Sequence, residues 1–261
     1  MHSVVSIAGS DPSGGAGIQA DIKTITAHKL FAETAVTALT AQNTLGVYGV
    51  EDVSPGFLAD QIDAIFDDIY PAAVKIGMVS SVEIINVIAD RLNYWKAKNI
   101  VLDPVMVATS GGKLIKNDAV KALVDKLIPL ADLITPNLPE VEVLYGFYPE
   151  GENEIEQASD FLLTLGADAV LIKGGHEKNT ANDYLKTKEG DSFWLREAHI
   201  NTTNTHGTGC TLSSAIACNL AQGADMTMAV RKAKQYVTGA LAQGLNLGKG
   251  NGPLNHMWEY E

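Results

Sequence analysis

The stretch "NTHGTGC", residues 204 to 210, sets a cysteine directly after two glycines at the start of a helical run of small residues. Gly207 and Gly209 free the backbone to turn tightly, so the N–H groups of residues 207–210, Thr208 among them, can converge on an anion. The helix dipole adds positive potential there, which suits the charge of a phosphoryl group in transit. In such a field the Cys210 thiol would have a lowered pKa and could act as a general base. The same residues would also build a tight turn over a buried, inert cysteine.

Further groups invite the same double reading. "AGSDPSGGAGIQAD" (8–21) follows an apolar run and opens a helix. It holds Gly15-x-Gly17-x-x-Ala20, a loose dinucleotide fingerprint lacking the acidic residue about 20 positions on. Asp21, one turn past Gly17, either reaches back to a cleft or is a solvated helix aspartate. In "TPNLPE" Asn137 and Glu140 have the spacing of a capping box, and Glu140 could equally hold a hard divalent cation. Asp103 ends the run "VLD" before a proline, and Lys173 closes "AVLIK", where a buried ammonium needs an anion or carboxylate. His176 and His206 have no partner visible in sequence. The pattern contains no His/Cys cluster with metal-ligand spacing and no G-x-S-x-G elbow.

The elements that must position these groups alternate. "SVVSIA" (3–8), "AAVKIG" (72–77), "NIVLD" (99–103), "DLITPN" (132–137) and "DAVLIKG" (168–174) read as buried strands. Between them lie amphipathic helices, one capped by Ser54 with Pro55 at its first position, one over 80–98, and one opening on Asn117. The alternation predicts an α/β fold with a central, mainly parallel sheet and helices on both faces. "FAETAVTALTAQN" and "VYGVEDV" read as strands without an intervening helix, forming an edge or a minimal β flap, and residues 183–200 read as a hairpin. In such sheets ligands lie beyond the carboxyl ends of the strands, where all the candidate groups fall. The loop over 107–118 reads as a glycine-hinged flap over the site.

The 261 residues are 46% apolar and 19% charged, with a net charge of −12, which fits one domain over 1–261. Without a basic stripe, nucleic acid and anionic membrane are not expected partners. No apolar run approaches the roughly 18 residues of a membrane span, and the opening "MHSVVSIAGSD" lacks a leader's cationic start. Cys210 and Cys218, two helical turns or about 12 Å apart, are too distant for a disulfide, so both read as free thiols of a cytoplasmic protein.

In combination and in order, "AGSDPSGGAGIQADIKT", "TALTAQNT", "KIGM", "VLDPVM", "LITPNLPE", "KGGH" and "NTHGTGCTLSSA" resemble the ribokinase-like superfamily. Within it they are most similar to the hydroxymethylpyrimidine/phosphomethylpyrimidine kinases of thiamine biosynthesis. The resemblance runs nearly end to end. It implies an ATP- and Mg2+-dependent kinase that phosphorylates a pyrimidine hydroxymethyl group and then the resulting monophosphate. Edge strands such as 32–53 could pair between subunits, and a homodimer is the expected assembly. Carried over by position, Gln42 pairs with the pyrimidine, whose aminopyrimidine edge suits a carboxamide. Gly9, Met78 and Val105 line the ring pocket, and Asp21 sits near the reacting group. Gly207, Thr208, Gly209 and Cys210 form the catalytic turn; Lys173, Thr208 and Lys234 lie near ATP phosphates; Asn137, Glu140 and Asp103 serve the magnesium ion. Most superfamily members carry Asp where this chain has Cys210, a difference that bears on the strength of the base. A pyridoxine/pyridoxal kinase on the same scaffold, an NAD-binding oxidoreductase and a non-catalytic binding descendant are the competing readings.

Overall fold

Every side chain of the first strand is buried, the mark of a strand covered on both faces. A computed structural model describes residues 1–106, 117–174 and 181–261. Its first half runs β1 (Ser3–Ala8), α1 (Gly17–Ala27), β2 (Phe31–Val36), β3 (Ala38–Asn43), β4 (Gly46–Asp52), α2 (Pro55–Asp68), β5 (Ala73–Ile76), α3 (Val82–Trp95) and β6 (Ile100–Leu102). Then follow α4 (Asn117–Ala122), β7 (Leu133–Ile134), α5 (Leu138–Tyr145), α6 (Glu152–Thr164), β8 (Ala169–Lys173), β9 (Asp183–Thr187), β10 (Ser192–Leu195), α7 (Thr208–Ala221) and α8 (Met226–Ala242).

Eight strands form one sheet in the order β10-β9-β8-β7-β6-β5-β1-β2. The pairings from β2 through β8 are parallel, while β9 and β10 add an antiparallel hairpin at one edge. Alternate residues of β1 feed opposite cores, as a strand's two-residue period requires. Val5 and Ile7 pack with Leu58, Ile85 and Leu162 from α2, α3 and α6. Val4 packs with Ile25, Ile216 and Val237 from α1, α7 and α8. The expected two-faced α/β sheet is therefore present. Ser54 caps α2, accepting the Phe57 N–H at 3.4 Å, with Pro55 at its first position.

Among the described residues β3 and β4 pair only with each other, and a bulge falls between Ala41 and Gln42. They are the small flap, whereas β2 belongs to the main sheet as its edge. Because β1 is flanked by β2 on one side and β5 on the other, the chain reverses direction across the sheet at β1. A crevice opens at the carboxyl ends of the strands beside such a reversal. The loop read as a hinged cover over 107–118 lies, for 107–116, outside the described residues, as does His176.

Candidate active site

The loop after β1 folds around one carboxylate. Asp11 accepts the N–H groups of Ser13, Gly15 and Ala16 at 2.9, 3.1 and 2.8 Å, and the Ser13 hydroxyl at 2.7 Å. It also accepts from His206 Nε2 at 2.8 Å. Burial pushes this carboxyl up, but its bonds to His206, Ser13 and Ala16 outweigh that and hold it down at about 2. The Gly15 and Ala16 amides are thus spent on Asp11, so the loop is no cradle for a pyrophosphate, and the dinucleotide reading loses its physical basis. His206, whose partner is not visible in sequence, meets Asp11.

Two glycines make this arrangement possible. Gly17 sits at φ +54°, where a Cβ would lie 2.3 Å from the Gly9 carbonyl oxygen. Gly207 sits at φ +86°, where a Cβ would lie 1.9 Å from the Gly15 oxygen. The loop after β1 and the turn before α7 therefore meet backbone to backbone, which only glycine permits.

Gly207 caps α7 with no side-chain acceptor. The Thr208 N–H turns back to Thr205 O at 3.3 Å, so the anticipated run of converging amides is shorter than 207–210. Among the described residues, no acceptor meets the N–H of Gly209 or Cys210. These two open donors face the cleft at the positive end of a fourteen-residue helix. The Cys210 thiol departs from expectation. Burial pushes it up to about 11, with Asp21 and Asp103 adding to the rise and Lys75 and the Gly17 N–H opposing it. Desolvation and two nearby carboxylates outweigh the helix terminus and one lysine.

Asp21 is also corrected. It is fully buried beneath the cleft and is not part of its lining. Its oxygens accept from Ser6 Oγ at 2.5 Å, Ser214 Oγ at 2.8 Å and Lys75 Nζ at 2.8 and 2.9 Å. Lys75, which sequence reasoning passed over, has no exposed side-chain surface, yet it lines the floor of the cleft. Burial works against its charge, but Asp21, Cys210 and Asp103 raise its pKa above the ordinary lysine value. The available signal was a lysine inside the buried run "AAVKIG", the same anomaly that singled out Lys173.

Lys173 meets the carboxylate its position demanded, donating to Asp103 Oδ1 at 2.8 Å, with Glu140 Oε2 at 4.0 Å. Burial opposes its charge, yet the two carboxylates raise its pKa. Asp103 also accepts from Thr135 Oγ1 at 3.0 Å; burial pushes it up, but Lys173 and Lys75 bring it below the ordinary value. Burial drives Glu140 up to about 7, Lys173 opposing and Asp103 reinforcing the shift. Asn137 Oδ1 accepts the Glu140 N–H at 2.9 Å and Glu140 Oε2 accepts the Asn137 N–H at 2.8 Å, a complete capping box. Asn137 therefore orients Glu140 rather than standing open as a ligand.

Gly9, Gln42, Met78 and Val105 line the same cleft as Gly207, Thr208, Gly209 and Cys210, a cavity of about 560 Å³. Lys234 borders it too, its ammonium held by Asp183 Oδ2 at 2.6 Å and Ala181 O at 2.7 Å. Of the site residues read from sequence, only Asp21 lies outside the lining.

This crevice, with its open helix terminus and carboxylate–lysine cluster at the end of a mainly parallel sheet, defines a small-molecule kinase of ribokinase-like fold. A family model described as phosphomethylpyrimidine kinase matches residues 11–255. The chain is 44% identical over 264 residues to the hydroxymethylpyrimidine/phosphomethylpyrimidine kinase of Haemophilus influenzae, covering 100% of this chain and 98% of that one. The crystal structure of phosphomethylpyrimidine kinase from Clostridium difficile matches at TM-score 0.80 and 44% identity, over 91% of this chain and 98% of that one. The ADP complex of Bacillus subtilis pyridoxal kinase matches at TM-score 0.91 and 34% identity, over 100% and 99%. The chain belongs to the phosphomethylpyrimidine kinase family.

Proposed function

We infer that this chain transfers the γ-phosphoryl group of ATP to the hydroxymethyl group of 4-amino-5-hydroxymethyl-2-methylpyrimidine, and then phosphorylates that monophosphate to the diphosphate needed for thiamine biosynthesis. One observation carries this reading. Gln42, a side chain able to pair with an aminopyrimidine edge, shares a cleft with the open N–H groups of Gly209 and Cys210. Met78 and Val105 supply apolar walls for the ring, and Gly9 leaves it room. The phosphates lie at the start of α7, with Lys173 and Lys234 as the flanking cations. Val237 and Leu241 on α8 offer an apolar seat for the base of ATP.

A magnesium ion fits the donor set. Asp103 and Glu140 present hard carboxylate oxygens to the cleft, with the Lys173 ammonium 2.8 Å from Asp103 Oδ1 and 4.0 Å from Glu140 Oε2. Among the described residues no three His, Cys, Asp or Glu side chains form a metal cage. That suits an ion which keeps waters and is held by one or two carboxylates together with substrate phosphates. Once bound, it would neutralise charge on the transferring group. The protein's own contribution is positioning: Asn137 fixes Glu140, Thr135 fixes Asp103, and the glycine turns set the amides.

Cys210 takes the hydroxyl proton in the first transfer. Because its thiol stays protonated at neutral pH, it acts through a small thiolate fraction. The second transfer starts from a phosphate oxygen that is already anionic and needs no such base.

The reading extends to one kinase unit over 1–261, a homodimer and a cytoplasmic setting. Exposed Leu39, Leu45, Tyr48 and Val50 on the flap support the dimer, which sedimentation analysis would test. Both cysteines are free, in keeping with a reducing compartment; no described helix is long and apolar enough to cross a membrane. An ATP-consumption assay with the hydroxymethylpyrimidine, its monophosphate and pyridoxine tests the function. Turnover of the two pyrimidines well above pyridoxine is expected. Turnover of pyridoxine alone would make the chain a pyridoxal-type kinase, and none at all would make it a binding protein.

A further inference from the structure

The loop after β1, the turn before α7 and strand β3 of the flap converge behind the ring pocket. His206 Nε2 lies 2.8 Å from Asp11 Oδ2. Since Asp11 is an ionised carboxylate and can only accept, Nε2 must carry the proton, whether the imidazole is neutral or charged. One end of the Gln42 carboxamide is 3.4 Å from that same Nε2, and the other end is 3.3 Å from Thr40 Oγ1. Thr40 spends its single hydroxyl proton on Ser10 O at 2.8 Å. With nitrogen placed toward the imidazole and oxygen toward the hydroxyl, Gln42 would set donor against donor and acceptor against acceptor. The two ends of a carboxamide have the same shape, and hydrogen bonding decides between them. A half-turn of the amide removes both conflicts: Nε2 then donates to Thr40, and Oε1 becomes the second, longer acceptor of the His206 N–H, which is directed chiefly at Asp11 and shared with the amide in a three-centre bond.

We propose that Asp11, His206 and Thr40 are positioning residues that lock the Gln42 carboxamide in this one orientation, and that the lock sets the order of donor and acceptor read on the substrate ring. The proposal rests on the reading that Gln42 pairs with the ring. In the locked state the second lone pair of Oε1 accepts from the ring amino group and the second N–H of Nε2 donates to the adjacent ring nitrogen. A 4-oxo analogue has a carbonyl in place of the amino group and a protonated ring nitrogen, so its order is reversed. It meets oxygen against oxygen and N–H against N–H. His206 is itself held firmly. It is buried, and a Cβ on Gly15 would lie 2.3 Å from its Cδ2, so the edge of the ring abuts that glycine. Asp11 in turn is fixed by four bonds from its own loop.

The test compares kcat/KM for the 4-amino and 4-oxo rings. The native protein should prefer the amino ring by roughly 100-fold or more, because the mismatch leaves buried polar groups unpaired. His206→Phe keeps a flat ring but removes the donor. It should cut that preference at least about tenfold, partly by improving turnover of the oxo ring, as a freed amide can turn over. His206→Gln, which returns a donor, should recover much of the preference. Thr40→Val removes the opposite partner and should also lower the ratio, which keeps the test open if His206→Phe does not fold. An unchanged ratio in both His206→Phe and Thr40→Val, with the ratio abolished by Gln42→Ala, would overturn the lock while leaving Gln42 on the ring. A ratio unmoved by Gln42→Ala would overturn the ring-pairing premise itself.

Discussion

Lys75 Nζ and the Asp21 carboxylate form a fork of 2.8 and 2.9 Å with neither side chain exposed, directly beneath Cys210. A pair this deep holds together only because Ser6 and Ser214 satisfy the remaining lone pairs of Asp21. Removing one partner strands a charge in the interior. Asp21→Asn or Lys75→Met should therefore lose about 3–5 kcal/mol of stability in urea titrations. A loss under about 1 kcal/mol would mean that water reaches the pair.

Cys210 gives a prediction in pH. Its thiol is raised from the usual value to about 11, so the protonated form dominates at neutrality and thiolate grows as pH rises. The first transfer, which needs a base, should accelerate steadily from pH 7 toward 10 in single-turnover measurements. The second should stay nearly flat over that range. Cys210→Ala should slow the first transfer by on the order of 100-fold and remove its pH dependence, while slowing the second far less. Equal losses in both steps would leave Cys210 a positional role only. Alkylation of Cys210 by iodoacetamide should likewise be slow at pH 7.5 and speed up above pH 9.

How far the sequence carries this site depends on what each signal was made of. Lys173 and Asp103 were legible because a charged residue ending an apolar strand has few stable options, and the two turn out to be each other's partner. The strands and helices were legible from periodicity. Asp21 was misplaced because one turn past Gly17 fixes its height on α1 but not its direction. It points into the core, where Lys75 from β5 meets it, a contact 54 positions apart in the chain. His206 and Asp11 are separated by 195 positions, and no local pattern marks a pairing set by the sheet's topology. The sign of the Cys210 shift was missed for a related reason. A helix terminus is visible in sequence, whereas the carboxylates and burial around it are not.

Gly207 and Gly146 allow backbone strain to be separated from steric clash. Both hold nearly the same left-handed conformation, at φ +86° and +87°. A Cβ on Gly146 would meet nothing within 4 Å, while one on Gly207 would lie 1.9 Å from the Gly15 oxygen. Gly146→Ala should thus cost only the conformational price, about 1–2 kcal/mol, and leave turnover intact. Gly207→Ala adds a collision between two backbones that cannot yield without moving the amides of Gly209 and Cys210. It should cost well beyond 2 kcal/mol in urea and abolish measurable turnover. Equal destabilisation by the two substitutions would show that the loop after β1 can retreat from the turn.

Asp103 and Glu140 share Lys173, but their geometry predicts different penalties for neutralising each. Asp103 has its Oδ1 engaged by Lys173 and Thr135, while a Cβ on Gly209 would lie 3.3 Å from its Oδ2. It therefore stands beside the turn that receives the phosphoryl group. Glu140 is tied into its own helix start through Asn137. If both carboxylates hold magnesium with the substrate phosphates, Asp103→Asn and Glu140→Gln should each raise the Mg2+ concentration giving half-maximal rate by on the order of tenfold. Asp103→Asn should in addition lower kcat at saturating Mg2+, because it also loosens Lys173 beside the transferred group. Glu140→Gln retains a side-chain oxygen for the Asn137 N–H, so its helix start survives and kcat at saturating Mg2+ should fall much less. Steady-state rates titrated against Mg2+ at fixed ATP separate the two effects, and an unaltered Mg2+ requirement in both variants would remove these carboxylates from the metal's surroundings.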